Sequence, residues 1–257
     1  MISPLANVSP KAKIGKNVTI EPFATVYHDV EIGDDTYIHP NAVIYPDTII
    51  GSGCKIFPGA IIGIINQDLK YKGEKSNTVI GNNTTIREYA TIHKGTADRM
   101  TTKVGDNCLI MCYTHLGHDT IIGNNVIVAN NGSLAGHITI EDYAILEGVV
   151  AAQQFVTIGK HSFVAGASLV RKSIPPYIRV AREPLQFIGV NTIGLSRRGF
   201  DKDTIKQIED IYRIIFVRGH NLSNALDIVE SEMPDTPIRR EIVDFIRKQE
   251  DGIVRGI

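Results

Sequence analysis

Cut at every sixth residue, positions 104–140 read VGDNCL IMCYTH LGHDTI IGNNVI VANNGS LAGHIT I, and every block opens on Val, Ile or Leu. The same step extends outward in both directions. Toward the N-terminus the marked residues are Ile92, Ile86 and Ile80, then Ile62 back to Ile2 without a gap. Toward the C-terminus they are Leu146, Ala152, Ile158, Val164 and Val170. Of the 26 marked positions only Ala152 is not Ile, Val or Leu, which rejects a chance pattern even in an Ile-rich chain. An α-helix needs a period near 3.6 and a half-buried strand a period of 2, so neither accounts for a strict six.

A period of six fits a solenoid in which each unit is one short strand and a turn, with the marked aliphatic pointing inward. Three units close a triangular coil of 18 residues, and 26 units give about nine coils. This is the hexapeptide-repeat parallel β-helix. Four residues after a mark the occupant is usually small or β-branched, as in Ala24, Ala42, Ala60, Thr84 and Thr120, suiting a narrow corner. Gly often follows the mark, as in Gly33, Gly81, Gly105 and Gly123, and is expected to relieve the turn dihedrals. The phase fails at Asp68, Glu74 and Asp98, so loops are expected at about 64–78 and 97–103.

The period stops at Ile174-Pro175-Pro176. The expected organisation is a solenoid over 1–175, an irregular connector over 176–200 and a helical domain over 201–257. One helix follows a cap at Asp201 or Asp203, with Ile205, Ile208, Tyr212, Ile215 and Phe216 on one face, and stops at Gly219. A second covers about 221–232. A third starts at Thr236-Pro237, a cap followed by proline in the first turn. These helices are expected to cover the open end of the solenoid.

With 27 Lys+Arg against 28 Asp+Glu the net charge is −1, which argues against a nucleic-acid binder working by bulk electrostatics. No run of 18 apolar residues occurs and residues 1–20 do not read as a signal peptide. Cys54, Cys108 and Cys112 are an odd set without a C-x-x-C pair, fitting free thiols. The expectation is a soluble cytoplasmic protein with no transmembrane segment. Charge is uneven: Lys160 to Arg218 holds 11 Lys+Arg and 5 Asp+Glu, a balance of +6 that leaves −7 elsewhere. Its densest point, Ser196-Arg197-Arg198-Gly199, suits phosphate groups or another anionic partner.

Residues 18 apart in an unbroken stretch stack about 4.8 Å apart. His118 therefore stacks on Gly136 and Gln154, and Asp119 on His137 and Phe155, at a corner expected to face outward. The resulting patch has the parts for acyl transfer to a hydroxyl. A neutral imidazole takes the alcohol proton, a general-base contribution of roughly 10²–10⁴-fold. A neighbouring carboxylate fixes its tautomer. A glycine leaves its N–H open as an oxyanion donor. His93 and His115 fit ligand, substrate-contact or interface roles, whereas His28, His39, His161 and His220 read as surface or interface residues. A metal would need three converging imidazoles, which His115, His118 and His137 allow without demanding.

Five motifs occur in order: Asn66-Gln67-Asp68-Leu69-Lys70-Tyr71, Thr91-Ile92-His93-Lys94-Gly95-Thr96, His115-Leu116-Gly117-His118-Asp119, Leu134-Ala135-Gly136-His137 and Arg197-Arg198-Gly199-Phe200. Together they closely resemble the acyl-carrier-protein-dependent UDP-N-acetylglucosamine O-acyltransferases of lipid A biosynthesis, over essentially the whole chain. The resemblance implies a left-handed solenoid and a homotrimer with each active site between two subunits. It implies transfer of a fatty acyl group, in the family often 3-hydroxylated, from the phosphopantetheine thioester of acyl carrier protein to the sugar 3-hydroxyl. No resident cofactor or metal is implied. His118 is then the general base, Asp119 its support and Gly136 the oxyanion donor. Gln67, Asp68, Lys70, His115, His137 and Gln154 would hold the sugar and acyl group. Asn191, Arg197 and Arg198 would contact the uridine diphosphate, and Gly166 would gauge acyl length. Gln153, Pro184 and Ile193 depart from the family, which often has His, His and Glu there. These departures touch acyl gauging and nucleotide contacts more than the chemistry.

Three alternatives bound this reading. N-acyl transfer by a sibling hexapeptide enzyme would usually come with an added N-terminal domain, whereas here the repeat starts at Ile2. A γ-type carbonic anhydrase would share the solenoid and the histidines but leave the NQDLKY loop and the Arg197-Arg198 turn unexplained. An inert scaffold would present a regular threonine-rich face.

Overall fold

In the computed structural model, which describes residues 1–256, the marked residues fill a triangular prism bounded by three parallel sheets. Face 1 holds nine strands from Asn7–Val8 to Leu169–Val170, and face 2 holds eight from Lys13–Ile14 to Thr157–Ile158. Face 3 runs from Thr19–Ile20 through Phe163–Val164. Register along a face steps by one full coil, pairing His115 with Ser133, Ser133 with Ala151 and Ala151 with Leu169. The fold is the left-handed parallel β-helix with C-terminal helices. From Ile20 to Val170 the marked side chains are 5% exposed or less. Each contributes roughly 1.5–3 kcal/mol on burial, and a one-residue slip would turn them all outward, so the register is strongly fixed.

The turn chemistry differs from expectation. The left-handed residue is the third after the mark. Asn17, Asp35, Asn83, Asn107 and Asn125 occupy that position with φ between 53° and 58°. Asn and Asp tolerate that region better than other non-glycine residues. The glycine directly after the mark serves close approach instead. A Cβ on Gly105 would sit 2.4 Å from the carbonyl oxygen of Gly123 in the next coil.

Register widens where Ile61 pairs with Thr91, and again where Thr91 pairs with His115. The first excursion adds two whole hexads to a coil and the second adds one, which is why the phase resumes unshifted. Strands end at Ile64 and His93 and restart at Asn77 and Thr101, so the loops are 65–76 and 94–100 rather than 64–78 and 97–103. Both leave face 1 and return on face 2, and therefore crowd the same edge of the prism.

Residues 176–200 are not irregular. Ile178–Ala181 extends face 3, Gln186–Val190 pairs antiparallel with it, and α1 spans Thr192–Arg197. Helices α2 (Lys202–Phe216), α3 (Leu222–Glu232) and α4 (Pro237–Arg247) follow, capped by the side chains of Asp201, Asn221 and Thr236. The Tyr212 hydroxyl donates to the Pro176 carbonyl at 2.6 Å and that of Tyr177 to Glu241 at 2.8 Å, tying α2 and α4 to the last coil.

Candidate active site

The edge between faces 1 and 2 brings together His118, Asp119, Gly136 and His137, the group the coil arithmetic placed there. It does not face outward: His118 is 7% exposed and Asp119 is fully buried. The second loop covers it. Asp119 accepts from the Thr96 hydroxyl (2.6 Å), the Thr96 N–H (3.0 Å) and the Arg99 N–H (3.2 Å), and meets Nδ1 of His118 at 2.9 Å. Burial raises the Asp119 carboxyl, but the hydrogen bonds from the Thr96 hydroxyl, His118 and the Thr96 N–H outweigh it and hold the group below the ordinary aspartate value. An ionised Asp119 accepting at Nδ1–H fixes the tautomer of His118 and leaves Nε2 with a lone pair.

Gly136 lies one coil on. A Cβ there would stand 2.6 Å from both Cε1 and Nε2 of His118, so any side chain would displace the imidazole. The Gly136 N–H has no protein acceptor among the described residues. His137 meets the His118 ring edge-on, with centroids 4.9 Å apart, and stacks on Phe155. Its Nδ1 is 2.9 Å from the Asp98 carboxylate on the second loop. Gln154 follows in the column, exposed. His115 shares its Nδ1 with the Thr91 hydroxyl at 2.8 Å, and His93 packs edge-on against it. Burial, reinforced by His115 and His118, pulls His93 down to about 4; burial and then His118 lower His115. The inner wall of the cluster is therefore uncharged at neutral pH.

The first loop docks on the second through Asn66 and Ser76, which both donate to the Gly95 carbonyl, and through Glu74, which accepts from the Ala97 N–H. This brings Gln67, Asp68 and Lys70 to the histidine edge, although among the described residues no hydrogen bond joins them to the cluster; Asp68 instead accepts from the Lys70 N–H.

The other expected site residues lie elsewhere. Asn191, Arg197 and Arg198 cluster on the edge between faces 2 and 3, and exposed Gly166 lies on the edge between faces 3 and 1. Gly166 has no left-handed φ, so a turn requirement does not explain it; its N–H donates to Glu147. Among the described residues the combination with metal-like spacing is His118, Asp119 and His137, with donor atoms within 4.8 Å of one another, rather than the three histidines that the sequence allowed without demanding. Three N–H and O–H groups already occupy the Asp119 oxygens, and Nδ1 of His118 faces the same carboxylate, which suits a general base better than a metal ligand set.

A family profile described as UDP N-acetylglucosamine O-acyltransferase, domain 2, matches residues 174–257, and the bacterial transferase hexapeptide profile matches 11–45, 29–63 and 101–136. A curated acyl-[acyl-carrier-protein]–UDP-N-acetylglucosamine O-acyltransferase from Aliivibrio salmonicida is 40% identical over 196 residues, 76% of this chain and 75% of its own. The chain belongs to this acyltransferase family. The crystal structure of a UDP-N-acetylglucosamine acyltransferase from Bacteroides fragilis superposes with a TM-score of 0.98 at 49% identity, covering 99% of this chain and 100% of that one. The Francisella novicida enzyme gives 0.96 at 40%, covering 99% and 94%. This acyltransferase is therefore an enzyme, and the carbonic-anhydrase-like and scaffold readings fall away.

Sequence reasoning passed over Asp98 and Arg99, which no coil arithmetic can place because they sit in a loop. It also read His161 as a surface or interface residue, whereas it is 8% exposed within the single chain. The signal available was its position three residues after Ile158, where Tyr143 and Tyr177 form the neighbouring layers.

Proposed function

We propose that this acyltransferase moves a fatty acyl group, 3-hydroxylated as the sequence resemblance implies, from the thioester of acyl carrier protein to the 3-hydroxyl of UDP-N-acetylglucosamine, the first step of lipid A biosynthesis. Nε2 of His118 removes the hydroxyl proton as the oxygen attacks the thioester carbon. Asp119 stabilises the imidazolium that forms. The Gly136 N–H donates to the oxyanion, and collapse of the tetrahedral intermediate expels the phosphopantetheine thiolate, which takes the proton back from His118. The products are the acylated sugar nucleotide and acyl carrier protein with a free thiol. No resident cofactor or metal enters the balance. The observation that carries this reading is the buried His118–Asp119 pair with a glycine pressed against the imidazole.

Gln67, Asp68, Lys70, His115, His137 and Gln154 hold the sugar and acyl group in this reading, Asn191, Arg197 and Arg198 hold the diphosphate, and Gly166 limits acyl length. These groups occupy three different edges of one prism, so one chain cannot gather them. A homotrimer of parallel prisms, which apposes edges of neighbouring copies, supplies the missing geometry. We assign the enzyme to the cytoplasm, in keeping with three free cysteines. Among the described residues no helix is long and apolar enough to cross a membrane.

Mass spectrometry of the product from UDP-N-acetylglucosamine and a panel of acyl carrier protein thioesters tests the reading. An O-acylated sugar nucleotide is expected. Acylation only of a 3-amino sugar analogue would overturn the choice of acceptor.

A further inference from the structure

We propose that His161 is a positioning residue for the nucleotide diphosphate: its Nδ1 lone pair accepts from the Arg198 guanidinium and its main-chain carbonyl accepts from Asn191, so one buried residue aims both groups. The inference rests on the assignment of Asn191 and Arg198 to the diphosphate and adds to it a residue that touches no substrate.

The geometry admits one direction of hydrogen bonding. Arg198 Nη1 lies 3.3 Å from Nδ1 of His161, and a guanidinium only donates, so Nδ1 is unprotonated and the ring proton sits on Nε2. The Asn191 amide donates to the His161 carbonyl at 2.9 Å, while its oxygen caps α1 by accepting from the Gly194 N–H at 3.3 Å. His161 thus grips α1 at its first turn through Asn191 and just past its last turn through Arg198. The ring cannot swing away. It is stacked between Tyr143, at 4.9 Å and 2°, and Tyr177, at 5.6 Å and 12°, with Phe200 edge-on at 5.1 Å. The guanidinium also lies over the Tyr143 face, 5.4 Å from the ring centre.

Electrostatics agree. Burial first, then Arg198 and Lys160, lower His161 to about 4, with Asp142 acting weakly the other way. A protonated ring would face the Arg198 guanidinium at hydrogen-bonding distance, cation against cation. A positioning histidine is an efficient device here, because an Arg side chain free to rotate loses its conformational freedom on every binding event, whereas one already held does not.

Two variants and one measurement on the unaltered protein decide the matter. His161→Phe keeps the stack and removes the acceptor; His161→Asn restores an acceptor near the position of Nδ1. The expected result for His161→Phe is a UDP-sugar KM raised roughly tenfold, in the range for a hydrogen bond to a charged group, with kcat and the acyl carrier protein KM within about twofold. His161→Asn should recover most of the loss. Kinetics of His161→Phe combined with Arg198→Ala should be no worse than Arg198→Ala alone, since both remove the same contact. An unchanged KM in His161→Phe, or an equal fall in kcat/KM for both substrates, would overturn the proposal. If Arg198→Ala leaves the UDP-sugar KM unchanged, the subsite reading itself fails. Imidazole ¹⁵N chemical shifts of the unaltered enzyme, which need no variant to fold, should show His161 as the neutral Nε2–H tautomer between pH 6 and 8. A proton on Nδ1 would refute the contact outright.

Discussion

Two corners of the same prism each bury a histidine, and they do it against opposite charges. On the edge between faces 1 and 2, Nδ1 of His118 meets the carboxylate of Asp119 at 2.9 Å. On the edge between faces 2 and 3, Nδ1 of His161 meets the guanidinium of Arg198 at 3.3 Å. The repeat supplies both with the same short strand and tight corner, and although His161 takes the left-handed turn position (φ 56°), one residue later in its hexad than His118, the backbone does not set the charge that each ring faces. The neighbour does. An anion at Nδ1 holds the proton on that nitrogen and leaves Nε2 with its lone pair free, which is what a general base needs. A cation at Nδ1 requires a lone pair at that nitrogen and makes a second proton costly, which suits a fixed acceptor. One imidazole is arranged to change charge and the other to keep from doing so.

The comparison breaks most visibly at His118. Replacing it with Ala should leave a folded oligomer and lower kcat by at least about 100-fold, the low end for loss of a general base. Turnover near that of the unaltered enzyme would remove His118 from the mechanism, and with it the contrast between the two corners. At the other corner the expected loss is in binding. Arg197→Ala should raise the UDP-sugar KM by one to two orders of magnitude, a charge-assisted hydrogen bond being worth roughly 1.5–3 kcal/mol. The side chain is exposed in a single chain. An unchanged KM would mean that the turn is only solvated.

How much of this was legible in the sequence follows from what the repeat transmits. Inside an unbroken run of hexads, position in the chain is position in space, and the arithmetic from Val104 to Val170 placed His118, Gly136, Asp119 and His137 together correctly. It could not say that Asp119 is sealed, because the seal comes from Thr96 and Arg99 in a loop that leaves the period. It also gave the left-handed turn to glycine, when Asn and Asp at the third position after the mark adopt it and glycine is needed for close stacking. His161 was missed because its burial depends on Arg198 and Phe200, which reach back from α1 and the turn after it. Separation of the expected site over three edges was equally invisible in a list of motifs.

The third edge offers a finer test. Gly166 is exposed on the edge between faces 3 and 1, and a Cβ would meet the Gly148 carbonyl oxygen at 3.2 Å, a tight contact that small shifts can relieve. Gly166→Met should therefore fold. If this position limits acyl length, long donors lose activity while short donors keep it, because each buried methylene is worth about 0.8 kcal/mol only where it has room. A uniform fall over all donors would sink the gauge.

The smallest expected effect concerns protons and stability, and it returns to the two corners. His161 is lowered to about 4 by burial, then by Arg198 and Lys160; His93 is lowered to about 4 by burial, then by His115 and His118. The unfolded chain restores both to about 6.5. Between 4 and 6.5 the unfolded state therefore binds more protons than the folded state, so stability rises with pH across that window and is lost as pH falls through it. From pH 7 to pH 6 each histidine removes roughly 0.7 kcal/mol. Asp119 has the opposite chemistry but the same sign. Its carboxyl is held below the usual value, so its contribution is present above about 4 and disappears only in more acidic solution. Denaturant unfolding at fixed protein concentration should thus show stability falling between pH 7 and 6. His161→Phe, which removes one of the two strongly lowered imidazoles, should flatten that slope measurably. A slope unchanged by the substitution would mean that His161 carries no buried-imidazole penalty, and the contrast between a histidine facing an anion and one facing a cation would lose its electrostatic basis.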